Sequence, residues 1–368
     1  MTQGSGAGTA QDAALRPHEP AILAHGLPLL DAKLGPKLED FVVEELPLYP
    51  ASGSGEHLYA QVEKRGMTTP QMVRAVSRAA GVEERDVGYA GLKDKHAVTT
   101  QWLSLPVKAR PLSEWRLPEG VRVLESTRHG NKLRTGHLLG NRFRIRLISL
   151  EPDGLERARA IAAFIAEQGL LNYFGGQRFG RDGDSLRQAL DWLRAGACLH
   201  GAPRFLLKLY PSVLQAEVFN RYLSLRRARE LARLIPGEVV RLEGTGSMFV
   251  VEDVTREQPR YDAGDLHLTG PIFGPKTRPA AAEGAELEAA ARAALALSDE
   301  QAQTLARQAP GTRRDLRVKV GEISVERVEV DRLELAFALP SGSYATEVVR
   351  QFTGGAFLIE DRERGGEA

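Results

Sequence analysis

Alternation of apolar and polar residues, the pattern of half-buried β-strands, occurs in two separate parts of this chain. The first part lies between Phe41 and Leu150, and the second is "EISVERVEVDRLELAFALP", which begins at Glu322. The residues between them show helical spacing instead, as in "GLERARAIAAFIAEQGL", "SLRQALDWLRAG" and "PSVLQAEVFNRYLSLRRARELA". We therefore expect the late strands to rejoin the early sheet, which makes the middle of the chain an inserted or second domain.

These patterns predict the domain boundaries. The sheet-forming domain is expected to contain residues 21–167 and 316–360, and the inserted domain residues 168–315. The first residues are small and polar, which predicts a disordered N-terminal tail over residues 1–20. Residues 361–368, which follow the helix-like segment "YATEVVRQF" and its successors, are expected to form a flexible C-terminal tail.

The composition narrows the functional classes. The 368 residues include 49 Lys and Arg and 48 Asp and Glu, so any affinity for nucleic acid has to come from local charge. Cys198 is the single cysteine, which excludes a disulfide within the chain and a zinc site built from cysteines. No segment approaches the roughly 18 consecutive apolar residues of a membrane span, and the N-terminus lacks the apolar core of a signal peptide. We expect a cytoplasmic protein with no membrane segment.

Asp94 lies in "GLKDKH", between two predicted strands, Val87–Ala90 and Val98–Leu105. A carboxylate at a strand end is either a turn residue or a group that a rigid scaffold presents to a ligand. A catalytic carboxylate must stay ionised, and the flanking Lys93 and Lys95 would favour that state. The residues alone leave both alternatives open.

A helix is predicted just upstream of this segment, in "TTPQMVRAVSRAAGV". Thr69 is expected to be its N-cap, with Pro70 at the first helical position and Gly81 just past the end. The apolar residues at helical spacing predict that one face of this helix is buried.

A local excess of positive charge follows. From Thr127 to Leu150 the chain has no acidic residue but has six Lys or Arg. Within this stretch Arg142, Arg144 and Arg146 alternate with apolar residues, which predicts a strand with one cationic face. That face either is solvated or neutralises the phosphates of a nucleic acid.

The segment "NYFGGQRFG" interleaves Tyr173, Phe174 and Phe179 with Arg178 and glycines. Such aromatic residues either stack on unpaired RNA bases or anchor a loop in the core. Just after it, Asp182 and Asp184 lack a third ligand at a metal-binding spacing, so we predict that Asp184 is a helix N-cap and that no metal binds.

Motifs for several reaction classes are missing from the sequence. It contains no Gly-rich dinucleotide loop, no P-loop, no GxSxG and no His pair at zinc spacing. Hydride transfer, phosphoryl transfer and zinc chemistry are therefore unsupported, and no cofactor is expected.

Five blocks resemble the TruD family of tRNA pseudouridine synthases. In chain order they are "EDFVVEE", "GYAGLKDKHAVTTQW", "RHGNKLRTGHLLGNRF", "NYFGGQRFG" and "LPSGSYATEVVR", and they extend from about Phe41 to Arg350. The resemblance implies an α+β fold: a pseudouridine synthase catalytic domain with a mixed, mainly antiparallel sheet and flanking helices. An α/β TRUD domain would be inserted into it at the middle block.

The resemblance also implies an active site. Asp94 matches the catalytic aspartate of the family, and Lys93 lies beside it. The family's base pocket matches Phe41, Asn141, Phe143 and Tyr344. The family commonly places a Lys, two residues and a Pro directly before "EDF"; in "KLGPKLEDF" either Lys33 or Lys37 would then be the lysine that reaches the active-site acid.

The implied reaction is the isomerisation of uridine 13 in the D-arm of tRNA to pseudouridine. We expect no metal and no cofactor; the sequence does not fix the oligomeric state, for which our expectation is a monomer. Asp94 would attack C1′ or remove a proton from C2′, and the sequence does not decide between these routes. The uridine would be flipped out of its stack. The expected contacts to the RNA backbone are Arg134, Arg142, Arg144 and Arg178. The alternative is a noncatalytic tRNA-binding module or chaperone on the same scaffold.

Overall fold

The computed structural model describes residues 16–24, 26–180, 183–197 and 205–355. The strands of these residues are β1 (Lys33–Leu34), β2 (Phe41–Pro47), β3 (His57–Arg65), β4 (Gly88–Tyr89), β5 (Val98–Pro106), β6 (Val121–His129), β7 (Leu138–Ile148), β8 (Leu170–Leu171), β9 (Val239–Leu242), β10 (Met248–Val250), β11 (Leu266–Ile272), β12 (Thr312–Asp315), β13 (Arg317–Val318), β14 (Gly321–Glu329) and β15 (Arg332–Pro340). Their α-helices are α1 (Thr69–Ala80), α2 (Gly154–Gln168), α3 (Asp184–Arg194), α4 (Leu206–Arg227), α5 (Val254–Asp262), α6 (Ala282–Ala293), α7 (Asp299–Gln308) and α8 (Ala345–Thr353).

By its contacts the chain divides into two compact units. The sheet unit is Ile22–Leu170 with Lys319–Ala368, and the middle unit is Leu171–Val318 with Met1–Ala21. The predicted domain boundaries at 168 and 315 stay predictions. Of the two predicted tails, residues 1–15 and 361–368 lie outside the described residues. Residues 16–20 belong to the middle unit, where the backbone N–H of His18 donates to the Glu217 carboxylate at 3.0 and 3.1 Å.

The described part of the sheet unit forms one nine-stranded sheet. Its main order is β14-β15-β7-β2-β5-β3-β6, with β1 on β7 and β4 on β5. All of these pairs are antiparallel except β2 with β5. The late strand β15 pairs with β7 over its whole length, from Arg332 opposite Ile148 to Pro340 opposite Gly140. The predicted return of the late strands to the early sheet is confirmed, as is the mixed, mainly antiparallel α+β class.

Helix α1 covers part of one face of this sheet. Its apolar side packs on β3 and β5 in a core that includes Met72, Val76, Val62 and Leu103. The N-cap is Thr68 rather than the predicted Thr69, because the Thr68 and Gln71 side chains form a reciprocal capping box. The helix ends as predicted before Gly81, which has the left-handed φ of 67° that glycine adopts without strain.

The middle unit combines helices with a four-stranded sheet of order β10-β9-β11-β12. The predicted N-cap Asp184 is wrong: Gly183 is the N-cap, and Asp184 is the first helical residue, where it pairs with Arg187 at 2.8 Å. The sequence predicted that helix α4 begins at Pro211, but it begins earlier, at Leu206.

In the described part of the chain, no group of three His, Cys, Asp or Glu side chains is arranged to hold a metal ion; Asp182 and Cys198 lie outside it. Among the same residues, no helix is both long and apolar enough to cross a membrane.

Candidate active site

The Asp94 loop is the segment between β4 and β5. Because β4 pairs antiparallel with β5 at Ser104 and Leu103, the chain must turn back before β5 begins at Val98. The Asp94 side chain is exposed, and no described residue forms an ion pair with its carboxylate. The loop therefore presents this carboxylate to solvent or to a ligand, as the sequence predicted for a strand end.

Buried side chains hold the backbone of this loop at its first half. The Gln101 amide donates to the carbonyl of Gly91 at 3.2 Å. The Thr69 hydroxyl accepts from the backbone N–H of Lys93 at 2.9 Å and donates to Gln101 Oε1 at 3.0 Å. Since Thr69 and Gln101 are both buried, each of these hydrogen bonds is shielded from water and fixes the loop on the sheet.

Lys64 holds the loop at Asp94 itself. Its ammonium donates to the carbonyl of Asp94 at 2.6 Å and to that of Met67 at 2.7 Å. Lys64 is 0% exposed, and burial lowers its pKa to about 8, although the nearby Asp94 charge opposes the shift. A fully buried ammonium is costly, so its hydrogen bond to the Asp94 backbone singles this loop out as a candidate functional site.

Lys93 is tied to the sheet rather than to Asp94. Its ammonium lies 2.6 Å from Glu45 Oε2, and the two side chains are 4% and 1% exposed. The second oxygen of Glu45 accepts from the backbone N–H of Trp102 at 3.2 Å. The sequence expectation that Lys93 supports the acid or the substrate directly thus stays a prediction, while the observed contact is a buried ion pair that anchors the loop.

An aromatic wall lies on the same face of the sheet. Phe143 is opposite Val43 on β2 and opposite Phe337 on β15, so the three side chains share a face. The Phe143 ring stacks on Phe337 with centroids 5.4 Å apart and meets the edge of Phe41 at 6.3 Å. The wall is therefore built from three strands.

Polar atoms without partners accompany this wall. Asn141 is opposite Glu45 in the β2–β7 ladder, and its buried Oδ1 has no hydrogen-bond partner among the described residues. The buried hydroxyl of Thr99, opposite Val43 on β5, is also unpaired within the described chain. Buried polar atoms normally have a hydrogen-bond partner, so these two atoms are candidates for contacts with a polar ligand.

Tyr344 lies in the loop after β15. That strand ends at Pro340, opposite Gly140 and therefore beside Asn141. Tyr344 is half-buried and is the N-cap residue of α8, where its carbonyl accepts from the N–H of Glu347. The loop that carries Tyr344 and the strand that carries Asn141 thus meet at one end of the sheet.

The two candidate lysines lie elsewhere in the sheet unit. Lys33 is exposed and pairs with Ile148, at the end of β7 away from Asn141. Lys37 is exposed and its backbone N–H donates to Asp40 at 2.9 Å. Lys37 precedes β2, and Asp94 precedes β5. Because β2 and β5 are parallel neighbours, Lys37 and Asp94 lie at the same edge of the sheet. Neither lysine makes an ion pair with Asp94, and the choice between them stays open.

The three arginines of β7 lie on the face opposite to Phe143. Arg142 pairs with Glu44 at 3.1 Å and Glu322 at 3.2 Å, and these carboxylates raise its pKa. Arg146 lies 3.0 Å from Glu334, and Arg144 lies 4.0 Å from the same residue. Cross-strand acids thus compensate the cationic stripe, which favours the solvated-face alternative.

The other two arginines predicted to contact RNA, Arg134 and Arg178, lie outside β7. Arg134 is exposed, and in the described chain no acid pairs with it. Arg178 belongs to the middle unit, with its guanidinium 5.9 Å from the Phe174 ring. In the same segment Tyr173 and Phe179 are buried, so they anchor the loop, whereas half-buried Phe174 also packs against Arg314 at 4.2 Å.

Comparisons with known proteins identify the family to which this chain belongs. The family model described as tRNA pseudouridine synthase D (TruD) matches residues 22–186 and 184–352. The chain belongs to the TruD family. A curated TruD of Anaeromyxobacter sp. strain Fw109-5 is 44% identical over 342 residues, covering 88% of this chain and 93% of the relative. A curated TruD of Thermus thermophilus is 39% identical over 342 residues, covering 92% of this chain and 94% of the relative.

A crystal structure described as TruD from Methanosarcina mazei has the same fold. It superposes with a TM-score of 0.71 at 22% identity and covers 93% of this chain and 97% of its own. The predicted fold, a catalytic sheet domain with a second α/β part in the middle of the chain, is therefore confirmed. As a member of this family of pseudouridine synthases, the protein belongs among the isomerases.

Three polar residues at this candidate site were missed from the sequence: Lys64, Glu45 and Gln101. Each occupies a buried, inward-facing position of its strand, as Lys64 does after Ala60 and Val62. A charged or amide residue on the inward side of an alternating strand is the signal that could have identified them.

Proposed function

We propose that this protein isomerises uridine to pseudouridine in tRNA, with Asp94 as the catalytic carboxylate and uridine 13 of the D-arm as the target. The observation that carries this proposal is the Asp94 loop. Its carboxylate is exposed and has no ionic partner among the described residues, and buried Lys64, Thr69 and Gln101 hold its backbone fixed. Rigid placement of a reactive group beside its substrate is a large part of catalysis.

The reaction needs few groups. The C1′–N1 bond breaks, the uracil turns, C5 bonds to C1′, and the proton of C5 is finally lost while N1 gains one. Asp94 acts either by attacking C1′ or by taking a proton from C2′, and both routes use the same oxygen atoms. The bond changes balance within the substrate, without an oxidant or a phosphate donor.

The other pocket residues fit uracil. Asn141 Oδ1, a buried acceptor without a partner, suits the N3–H donor of uracil, and the amide N–H groups suit its carbonyl oxygens. Phe41 and Phe143 provide the floor on which a flipped base can lie, and Tyr344 closes the pocket from the loop before α8. The base has to leave its stack to reach them.

Mapping of pseudouridine in tRNA tests the substrate. Cells without the gene should lose pseudouridine at position 13 of the tRNAs that carry it there, and the purified protein should restore it on transcripts. The names of the curated relatives support tRNA as the substrate class. Pseudouridine lost at another position would keep the chemistry and reject the target, and an unchanged map would reject the proposed function.

The arginines predicted to contact RNA should differ in their contribution to tRNA binding, depending on whether an acidic side chain already pairs with them. Arg134→Gln should lower the slope of log Kd for tRNA against log salt by about 1, because an exposed guanidinium without an acid is available to a phosphate. Arg142→Gln should change Kd less than about twofold, since exposed Arg142 is already paired with Glu44 and Glu322. Salt titrations of both variants check this order, and equal slopes would contradict it.

A further inference from the structure

A second polar cluster lies on the sheet unit, beside the Asp94 loop. We call it the Tyr49 surface: Tyr49, His129 and His137, with Arg128 and Arg134 next to them. Tyr49 follows β2, which ends with Pro47 opposite Leu138, and the other four residues belong to the end of β6 and the connection from β6 to β7. The pocket described above uses none of the three rings.

The three rings of this surface are mutually ordered. Tyr49 stacks on His129 with centroids 5.2 Å apart and an interplanar angle of 20°. The Tyr49 hydroxyl lies 3.0 Å from His137 Nδ1 and accepts from the Asn131 amide, also at 3.0 Å. His129 Nδ1 accepts from the backbone N–H of Ser52 at 3.0 Å. Each imidazole is therefore held by its Nδ1 atom.

These contacts fix the tautomer of neutral His129 and are compatible with the same tautomer in His137. Because Nδ1 of His129 accepts an N–H, its proton is on Nε2. The Tyr49 hydroxyl accepts from Asn131, an arrangement in which its own O–H can donate to His137 Nδ1 and leave the His137 proton on Nε2. Both histidines are half-exposed, and across the described ranges no protein atom accepts from either Nε2. In this arrangement the surface displays two oriented N–H donors.

Two exposed arginines flank the rings of this surface, and Glu56 lies on the neighbouring segment, which runs along His129 and Gly130. Arg128 and Arg134 are exposed, and within the described residues neither has an acidic partner. No acidic residue occurs between Thr127 and Leu150. A Cβ atom added at Gly130 or Gly136 would meet nothing within 4 Å, so the space in front of the backbone is open. Paired imidazole donors beside free guanidiniums are suited to an anion.

The Tyr49 surface is fixed to the Asp94 loop. The backbone N–H of Gly136 donates to the carbonyl of Ala90 at 2.8 Å, directly before Gly91. The N–H of Leu133 donates to the Ser104 hydroxyl at 2.9 Å, on the strand with which β4 pairs. The Tyr49 surface therefore lies beside the Asp94 loop, within reach of the nucleotides next to one bound at Asp94.

We propose that the Tyr49 surface binds one or two phosphodiesters of the single-stranded RNA segment adjoining the target uridine. His129 Nε2 and His137 Nε2 donate to phosphate oxygens, Arg128 and Arg134 neutralise the charge, and Tyr49 sets the orientation of both imidazoles. This inference rests on the proposed function, since it concerns the same RNA substrate. It adds a binding site outside the base pocket.

A methylphosphonate scan tests the contact directly. A synthetic RNA that carries the target uridine is made with one uncharged methylphosphonate at a time at the phosphates flanking that uridine. Binding is measured with full-length Asp94→Asn protein, which cannot turn the RNA over. We expect one or two positions to weaken binding about tenfold, the size of a lost hydrogen bond to a charged group. When the protein also carries His129→Phe and His137→Phe, the penalty at these positions should fall to about threefold, the part that remains being due to the charge neutralised by Arg128 and Arg134.

The control variant is His267→Phe, in the middle unit, where the imidazole lies 2.5 Å from Glu243. It should leave the methylphosphonate penalties unchanged. In the catalytically active background, His129→Phe with His137→Phe should raise KM for RNA about tenfold or more and change kcat less than twofold, a split that a folding defect would not produce.

The outcomes separate this inference from the proposed function. If wild-type protein forms pseudouridine but no flanking methylphosphonate weakens binding, the Tyr49 surface does not bind the backbone. The same conclusion follows if a penalty persists unchanged in the double His variant. If the protein forms no pseudouridine in tRNA, the proposed function itself fails, and RNA binding by the scan then measures only a noncatalytic module.

Discussion

Asp94→Asn is expected to abolish pseudouridine formation, with a fall in kcat of at least about 10⁴-fold, and to leave tRNA binding in place. The size follows from the loss of a reacting carboxylate, for which single replacements in other enzymes have effects of about this order or more. Both the attack on C1′ and the abstraction from C2′ need this group, so the expectation does not depend on the route. Release of tritium from uridine labelled at C5 measures the turnover.

The same variant should fold normally. Asp94 is exposed and has no ion pair within the described chain, so its replacement by an isosteric amide should change the free energy of unfolding by less than about 0.5 kcal/mol. Asp86→Asn, just before β4, is a control for the same chemical change at a carboxyl with a known ionic partner, because Lys108 pairs with Asp86 and lowers its pKa. That control should keep turnover within about twofold, since it removes only a surface ion pair.

Retained turnover in Asp94→Asn would falsify the assignment of the catalytic acid. A protein that binds tRNA tightly but gives no pseudouridine even as wild type would instead match the noncatalytic binding module that the sequence also allowed. The fixed backbone under Asp94 argues against that module, because binding alone does not need a buried ammonium at this point.

The sheet could be predicted because its strands keep a strict two-residue period. Phe41, Val43 and Glu45 all point inward, as do Asn141 and Phe143, and a period of two assigns faces without knowledge of the strand order. Which strands are neighbours is not contained in that period. The pairing of Arg142 with Glu44 and Glu322 depends on β7 lying between β2 and β15, so the sequence left the cationic face open between two alternatives.

The residues that hold the Asp94 loop could not be predicted from the sequence, for the same reason. Lys64 meets Asp94 across 30 positions, Thr69 meets Lys93 across 24, and Lys93 meets Glu45 across 48. The motif "GLKDK" predicts that the lysines next to Asp94 support its charge, but neighbouring residues in an extended segment tend to point to opposite sides. In the fold, the residue that supports the acid comes from β3, and Lys93 turns to the sheet.

Lys64→Met is the second prediction with a large expected effect. It removes the donor to the carbonyls of Asp94 and Met67 and keeps most of the side-chain volume. A shift of the Asp94 loop by about 1 Å lowers the rate about 100-fold, and we expect a fall in kcat of that order. Stability should change little at pH 7, because the loss of two buried hydrogen bonds is offset by the removal of a buried charge.

The pH dependence identifies the charge of Lys64 as the cause. Its pKa of about 8 lies below the ordinary 10.5, so from pH 8 to 10.5 the unfolded chain holds a proton that the folded protein has lost. Stability contributed by this group therefore rises with pH over that window, by about 3 kcal/mol at most, and urea unfolding of wild type against Lys64→Met should show the difference. Activity should move in the opposite direction, because the neutral amine holds the Asp94 carbonyl less strongly above pH 8. Lys64→Arg stays charged over this pH range, so the alkaline decline in activity should be absent from this variant. A decline near pH 8 that persists in both Lys64→Met and Lys64→Arg would show that another group causes the decline.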